Sequence, residues 1–197
     1  MVDSYSVIKR IKEYANDNNV PIMMDDGIDY LTTFIIKKGI KNVLEIGTAI
    51  GYSAIMMTLC NPNVKVTTIE KDEKRYLEAL KNIKELNLED RITLIYNDAL
   101  NVKIEEKFDM IFIDAAKAQN IKFFEKFDRN LKTSGYIITD NLNFHGLVLK
   151  DEKEIKSRNV RGIVRKTKEY IEFLKTNTNY ETEFFDVGDG ISVSTKK

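Results

Sequence analysis

Cysteine and histidine are almost missing from this 197-residue chain, each occurring once. A lone Cys60 excludes an internal disulfide, and with a lone His145 it excludes a Cys/His zinc site. Cys60 closes an apolar helical stretch and is expected to pack in the core. Two prolines, nine glycines and no Ser/Gly-rich stretch leave no linker on which to divide the chain, and no internal repeat is visible. No run reaches the roughly 18 apolar residues of a membrane span. The N-terminal MVDSYSVIKR is charged and amphipathic rather than a secretion signal, so a cytoplasmic protein without a membrane partner is expected. Excess charge is missing too: 31 basic and 31 acidic residues cancel, and the chain as a whole advertises no polyanionic partner. What is present, 43% hydrophobic and 31% charged residues, excludes disordered and collagen-like chains. The length predicts a single domain, 1–197.

Ile8, Ile11 and Ala15 recur at helical spacing, and a second helix is expected from about Asp25 to Lys38 with Ile28, Leu31 and Ile35 inward. After Gly39 the pattern becomes strand and helix in alternation, so 1–39 reads as N-terminal helices and 40–197 as an α/β core. Short apolar runs at 43–46, 66–69, 92–95, 110–113 and 136–139 read as strands. Asp72–Leu86 reads as a helix capped by Asp72, with Tyr76, Leu77, Leu80 and Ile83 on one face. Buried strands separated by helices of this length predict a parallel sheet covered on both faces. Residues 181–186 and 191–195, flanking Val-Gly-Asp-Gly, predict an antiparallel hairpin at the C-terminal edge.

In such sheets ligands bind beyond the carboxyl ends of the strands. The first strand runs into Glu45-Ile-Gly-Thr-Ala-Ile-Gly-Tyr-Ser53, where Gly47 and Gly51 allow a sharp turn and a close ligand approach. The next strand ends in Glu70, 19 residues after Gly51, the position of a ribose-binding carboxylate. The spacing is G-x-x-x-G, not the G-x-G-x-x-G of pyrophosphate binders. Glu45 just before the turn disfavours a phosphate and suits a cofactor with a ribose and a cationic amino group, such as S-adenosylmethionine. Without a ligand the same turn is an ordinary tight βα connection.

The fourth strand ends in Asp114, with Lys117 three residues on, and the fifth ends in Asp140-Asn141. If the two strands are neighbours, two carboxylates and an amide oxygen meet at one rim, a set for Mg²⁺ or Mn²⁺ rather than zinc. Singly, Asp-Asn is a common turn pair and Asp114 a plausible helix cap. Between Lys153 and Lys168 stand seven basic residues and one acidic. Arg158, Arg161, Arg165 and Lys168 fall on roughly one helical face, with Val160, Ile163, Val164, Ile171 and Leu174 on another. A basic stripe beside a catalytic rim suits RNA phosphates or a coenzyme A phosphate; away from one it is a solvated face.

The stretches VPIM (20–23), LEIGTAIGYSAI (44–55), TIEKDEKR (68–75), FIDAAKAQ (112–119), IITDN (137–141) and VGDGISVS (187–194) resemble the cation-dependent O-methyltransferases, class I S-adenosylmethionine enzymes of the catechol and caffeoyl-CoA type. Within that family they are most similar to the bacterial tRNA 5-hydroxyuridine methyltransferases. The resemblance implies a three-layer Rossmann-like α/β fold with a mostly parallel seven-stranded sheet, a homodimer, and methylation of a tRNA wobble 5-hydroxyuridine. A small catechol-like or caffeoyl-CoA-like substrate, or cofactor binding without catalysis, are the alternatives. It implies cofactor contacts at Met23, Glu45, Gly47, Thr48, Ser53, Glu70, Asp98, Ala99 and Asp114. It further implies metal ligands at Asp114, Asp140 and Asn141, and Lys117 as general base. Ala118 and Asn120 stand where the family has Gly and Tyr. Asn143 and His145 replace more usual Leu and basic residues, and a helix expected before Tyr5 is not found.

Overall fold

The computed structural model describes residues 3–197, with the backbone alone for Glu152. Met1 and Val2, the first residues of the stretch read against a secretion signal, lie outside the described residues. Helices α1 (Ser4–Asp17) and α2 (Asp25–Lys38) lead into β1 (Asn42–Ile46), α3 (Tyr52–Leu59), β2 (Lys65–Glu70), α4 (Glu73–Glu85) and β3 (Ile92–Tyr96). Then come β4 (Phe108–Ile113), a 3₁₀ turn (Lys117–Gln119), α5 (Asn120–Phe127), β5 (Leu131–Thr139), α6 (Arg158–Thr176), β6 (Tyr180–Phe185) and β7 (Ile191–Lys196). The sheet order is β3-β2-β1-β4-β5-β7-β6. Strands β1 to β5 pair in parallel; β7 runs antiparallel to both β5 and β6. The expected seven-stranded α/β fold with its C-terminal hairpin is therefore present.

Each face of the sheet carries its own core. One contains Ile11, Leu31, Ile35, Val43, Ile55 and Phe112, and the other Leu44, Ile111, Phe124, Phe127, Ile137 and Tyr170. Successive side chains of β1 and β4 feed opposite cores, which is why these strands read as unbroken apolar runs.

Helix α2 matches its expected span and inward face. Helix α4 begins as expected, with the Asp72 carboxylate accepting from Arg75 N–H at 2.9 Å, but its buried face differs. Ala79, Asn82 and Ile83 face inward while Leu77 is 55% exposed. A Cβ on Gly51 would stand 3.4 Å from Ala79 Cβ, so this crossing admits only a small residue. Asn82 satisfies Ile50 C=O by donating at 2.9 Å. Helix α6 likewise buries Val164, Thr167, Tyr170 and Leu174, leaving Val160, Ile163 and Ile171 half-buried. The Tyr170 hydroxyl bonds Thr139 Oγ1 at 2.7 Å, which lets a polar residue hold the centre of that face. Cys60 is half-buried rather than core, its thiol donating to Met57 C=O.

Candidate active site

Register brings the site together. Ile113 of β4 pairs with Thr139 of β5, so the next residue of each strand, Asp114 and Asp140, emerge side by side. Asp114 N–H donates to Ile46 C=O at 3.0 Å and Asp140 N–H to Ile113 C=O at 3.2 Å. Gly47, Asp114 and Asp140 thus form a row across the ends of β1, β4 and β5.

The turn after β1 is left-handed at Gly47 (φ 99°), Ala49 (φ 48°) and Gly51 (φ 86°). A Cβ on Gly47 would lie 2.2 Å from Asp114 C=O, so the strand ends can approach only over a bare α-carbon. Ala49 N–H donates to Glu70 Oε2 at 2.8 Å; Lys71 and Asp72 N–H donate to Oε1 at 2.9 and 2.8 Å. The Glu70 carboxylate ties the glycine turn to the start of α4 and keeps one lone pair, on Oε2, for a ligand. Asp98 accepts from Leu100 N–H at 2.8 Å and pairs with Lys71 at 3.8 Å.

A cavity of about 320 Å³ lies over this row. Gly47, Glu70, Asp98, Ala99, Asp114, Lys117 and Asn141 all line it. Lys71, Arg75 and Gln119, which lie within the stretches quoted above but are given no role there, line it too, as do Asn97 and Phe123, which lie in none of them.

Met23, Glu45, Thr48 and Ser53 are buried and are not among the lining residues. Met23 instead borders an open groove of about 1060 Å³ between α1 and residues 19–26. Glu45 lies beneath the turn, accepting from Ser53 Oγ and Thr68 Oγ1, both at 2.5 Å, while Thr48 and Thr68 hydroxyls bond each other. The strand alternation that feeds opposite cores turns Glu45 inward.

Burial pushes the Glu45 carboxyl from its ordinary 4.5 up to about 7, against the two hydroxyl donors that oppose the shift. A folded-state value above the unfolded one stabilises below about pH 4.5, and that contribution is lost as pH rises through about 7, roughly 3 kcal/mol in all. Glu45→Gln is therefore expected to raise Tm over wild type by roughly 5–10 °C at pH 8 and by little at pH 5 in metal-free buffer, read by calorimetry.

At the rim, Asn141 Nδ2 donates to Asp114 Oδ1 at 3.0 Å, and Asn141 N–H to Asp140 Oδ1 at 2.7 Å. Burial, and secondly Asp114, push Asp140 up to about 7. Burial raises Asp114 as well, with Lys117 opposing. Two carboxylates, Asp140 buried and Asp114 half-buried, with an amide at one corner are a hard-oxygen set whose like charges call for a cation. Among the described residues no group of three or more His, Cys, Asp or Glu gathers anywhere, so this corner offers two carboxylates and an amide and no third acid. The residues fit a divalent ion of the Mg²⁺ type, and the cavity beside them fits a ribose-bearing cofactor reaching Glu70. Lys117 Nζ stands 5.3 Å from the Phe144 ring centroid.

The family described as O-methyltransferase matches residues 2–197. The chain belongs to it. A Staphylococcus aureus structure, provisionally assigned as a caffeoyl-CoA O-methyltransferase, is 40% identical, covers 96% of this chain and 92% of its own, and superposes with a TM-score of 0.91. An O-methyltransferase from Bacillus cereus, solved in complex with SAH, is 26% identical with a TM-score of 0.83, covering 98% of this chain and 91% of that one. The caffeoyl-CoA O-methyltransferase of Populus kitakamiensis is 29% identical over 193 residues, 92% of this chain and 80% of its own length.

The basic stripe divides once folded. Lys153 and Lys156 precede α6, which starts after its cap at Ser157. Arg161 donates to Ile155 C=O at 2.7 Å and Lys168 to Lys150 C=O at 3.2 Å, so these two brace the segment before the helix. Arg158 and Arg165 are exposed, Arg165 lying 3.9 Å from Glu169. Helix α6 packs against the 3₁₀ turn carrying Lys117, which puts the stripe near the rim. No helix of the described residues is long and apolar enough to cross a membrane.

Proposed function

We propose that this chain, acting as one catalytic domain, moves the methyl group of S-adenosylmethionine to one oxygen of a flat small molecule. That substrate carries two adjacent oxygens, as catechols and caffeoyl esters do. The observation that carries this reading is the Asp114–Asp140–Asn141 corner opening beside the Glu70-lined cavity. A relative solved with SAH and others named for caffeoyl-CoA support the cofactor and the substrate class. Glu70 would accept from a ribose hydroxyl through Oε2, Asp98-Ala99 would border the adenine, and Asp114, Asp140 and Asn141 would hold Mg²⁺ or Mn²⁺. A divalent cation there supplies positive charge that favours the deprotonated hydroxyl. Lys117 takes the hydroxyl proton; the oxygen then forms its bond to the methyl carbon as the carbon–sulfur bond breaks. Much of the acceleration comes from holding acceptor and methyl in line.

A second reading, methylation of 5-hydroxyuridine in tRNA, is favoured by exposed Arg158 and Arg165 on the helix that packs beside Lys117. The 5-hydroxyl and O4 of that base offer the same adjacent pair of oxygens. Labelled S-adenosylmethionine with Mg²⁺ should mark caffeoyl-CoA or simple catechols. Label confined to tRNA carrying 5-hydroxyuridine would move the assignment to RNA, and Arg158→Glu with Arg165→Glu should then abolish it. Label in neither leaves the family fold without this chemistry. The family resemblance supports a homodimer, which light scattering tests.

A further inference from the structure

The loop that follows Asp140 is held in an unfavourable shape. Asn141 (φ 67°), Phe144 (φ 46°), His145 (φ 55°) and Gly146 (φ 75°) are all left-handed. The cost is on the order of 1 kcal/mol or more at Phe144 and smaller at Asn141 and His145, residue types that enter this region more readily. Something must hold the loop, and the hairpin turn between β6 and β7 does so. Leu142 N–H donates to Gly190 C=O at 2.9 Å and Asn143 N–H to Asp189 C=O at 2.7 Å. His145 N–H donates to Asp189 Oδ1 at 2.6 Å. The turn is itself anchored, Gly188 N–H donating to Asp26 Oδ2 at 3.0 Å. A Cβ on Gly190 would sit 2.7 Å from Asn143 Cγ, so turn and loop lie in direct contact.

Asp189 is only 7% exposed, and its second oxygen, Oδ2, is buried without a hydrogen-bond partner. Burying a carboxylate is costly, and nothing in a plain hairpin turn requires one. The side chain of His145 is 76% exposed, with Nδ1 3.8 Å from Oδ2, too far for a hydrogen bond. The Asp189 carboxylate is thus committed to a backbone N–H of the loop that begins with Asn141.

We propose that Asp189 is a positioning residue for the divalent cation. Through its carbonyl and Oδ1 it latches Asn143 and His145, and so fixes Asn141 and Asp140 against Asp114. This rests on the reading that those three residues hold the metal. Groups that orient ligands from behind are commonly worth 10–100-fold in metal affinity.

The test is Mn²⁺ titration of the SAH-loaded protein, with free Mn²⁺ read by electron paramagnetic resonance and SAH affinity read by calorimetry. Asp189→Ala should weaken Mn²⁺ binding about 10-fold or more while SAH affinity stays within about threefold. Asp189→Asn keeps an oxygen for the His145 N–H and should stay within about threefold of wild type; His145→Ala, which keeps the backbone donor, should do the same. Unchanged Mn²⁺ affinity in Asp189→Ala, with only Tm lowered, would overturn the latch. So would Asp189→Asn as weak as Asp189→Ala, since charge rather than position would then matter. Wild-type protein that binds no Mn²⁺, or binding that survives Asp140→Ala, overturns the metal reading and the latch with it. Failure of the latch alone leaves wild-type binding, and its loss in Asp140→Ala, intact.

Discussion

Asp140→Ala is expected to lower kcat/KM for O-methylation by about 10³-fold, the scale of several kcal/mol that a bound cation contributes to a charged transition state. The loss should fall mainly on the chemical step. Asp140 is not among the residues lining the cofactor cavity, so SAH affinity measured by calorimetry should change by no more than a few-fold. Stability should respond in the opposite sense from activity. Without metal, buried Asp140 and half-buried Asp114 are like charges at one corner, and burial and that neighbour both push Asp140 upward. Removing one carboxylate relieves that repulsion, so Tm in chelator should hold or rise. Mg²⁺, which stabilises wild type by binding only the folded state, should no longer raise Tm in the variant. An Asp140→Ala enzyme that keeps full activity, or a Tm that still climbs with Mg²⁺, would remove the metal from this corner.

Gly47→Ala and Gly39→Ala make a matched pair. Both glycines are left-handed, at φ 99° and φ 64°. At Gly39, beyond α2, a Cβ meets nothing within 4 Å, and the expected cost is the backbone preference alone, about 1 kcal/mol. At Gly47 the same atom would stand 2.2 Å from Asp114 C=O and 2.9 Å from its carbonyl carbon. Backbone cannot swing aside as a flexible side chain can, so β1 and β4 must part. Overpacking and strain together are expected to cost about 2–5 kcal/mol, read as the difference in urea midpoints between the two variants. Because β4 carries Asp114, the displacement should also weaken SAH binding, which Gly39→Ala should leave unchanged. Equal losses in the two variants would mean that the close approach at Gly47 does not constrain the site.

The order of strands and helices was legible because buried parallel strands are short apolar runs and the chain punctuates them with Asp72, Gly39 and Gly51. The same pattern placed Gly47, Glu70, Asp114 and Asp140 at strand ends, where a doubly wound sheet binds its ligands. Periodicity did not settle which face of a helix is buried when a neighbour demands a small or polar residue. Leu77 on α4 lost its place to Ala79 and Asn82 because the glycine turn crosses there, and Thr167 and Tyr170 share the inner face of α6 because Thr139 offers Tyr170 a hydrogen-bond partner.

The sequence by itself determined the fold class and the chemical types at the rim, since both follow from local apolar patterning and from which residues end each strand. Only the tertiary structure decided that Glu45, Thr48, Ser53 and Met23 are buried and outside the lining of the cavity. It alone showed Arg161 and Lys168 tied to neighbouring carbonyls, and Asp189, 48 residues beyond Asn141, reaching back to the loop that follows it. Those facts depend on strand register and on which backbone groups lack partners. Both are set by contacts between distant segments, and no local pattern encodes them.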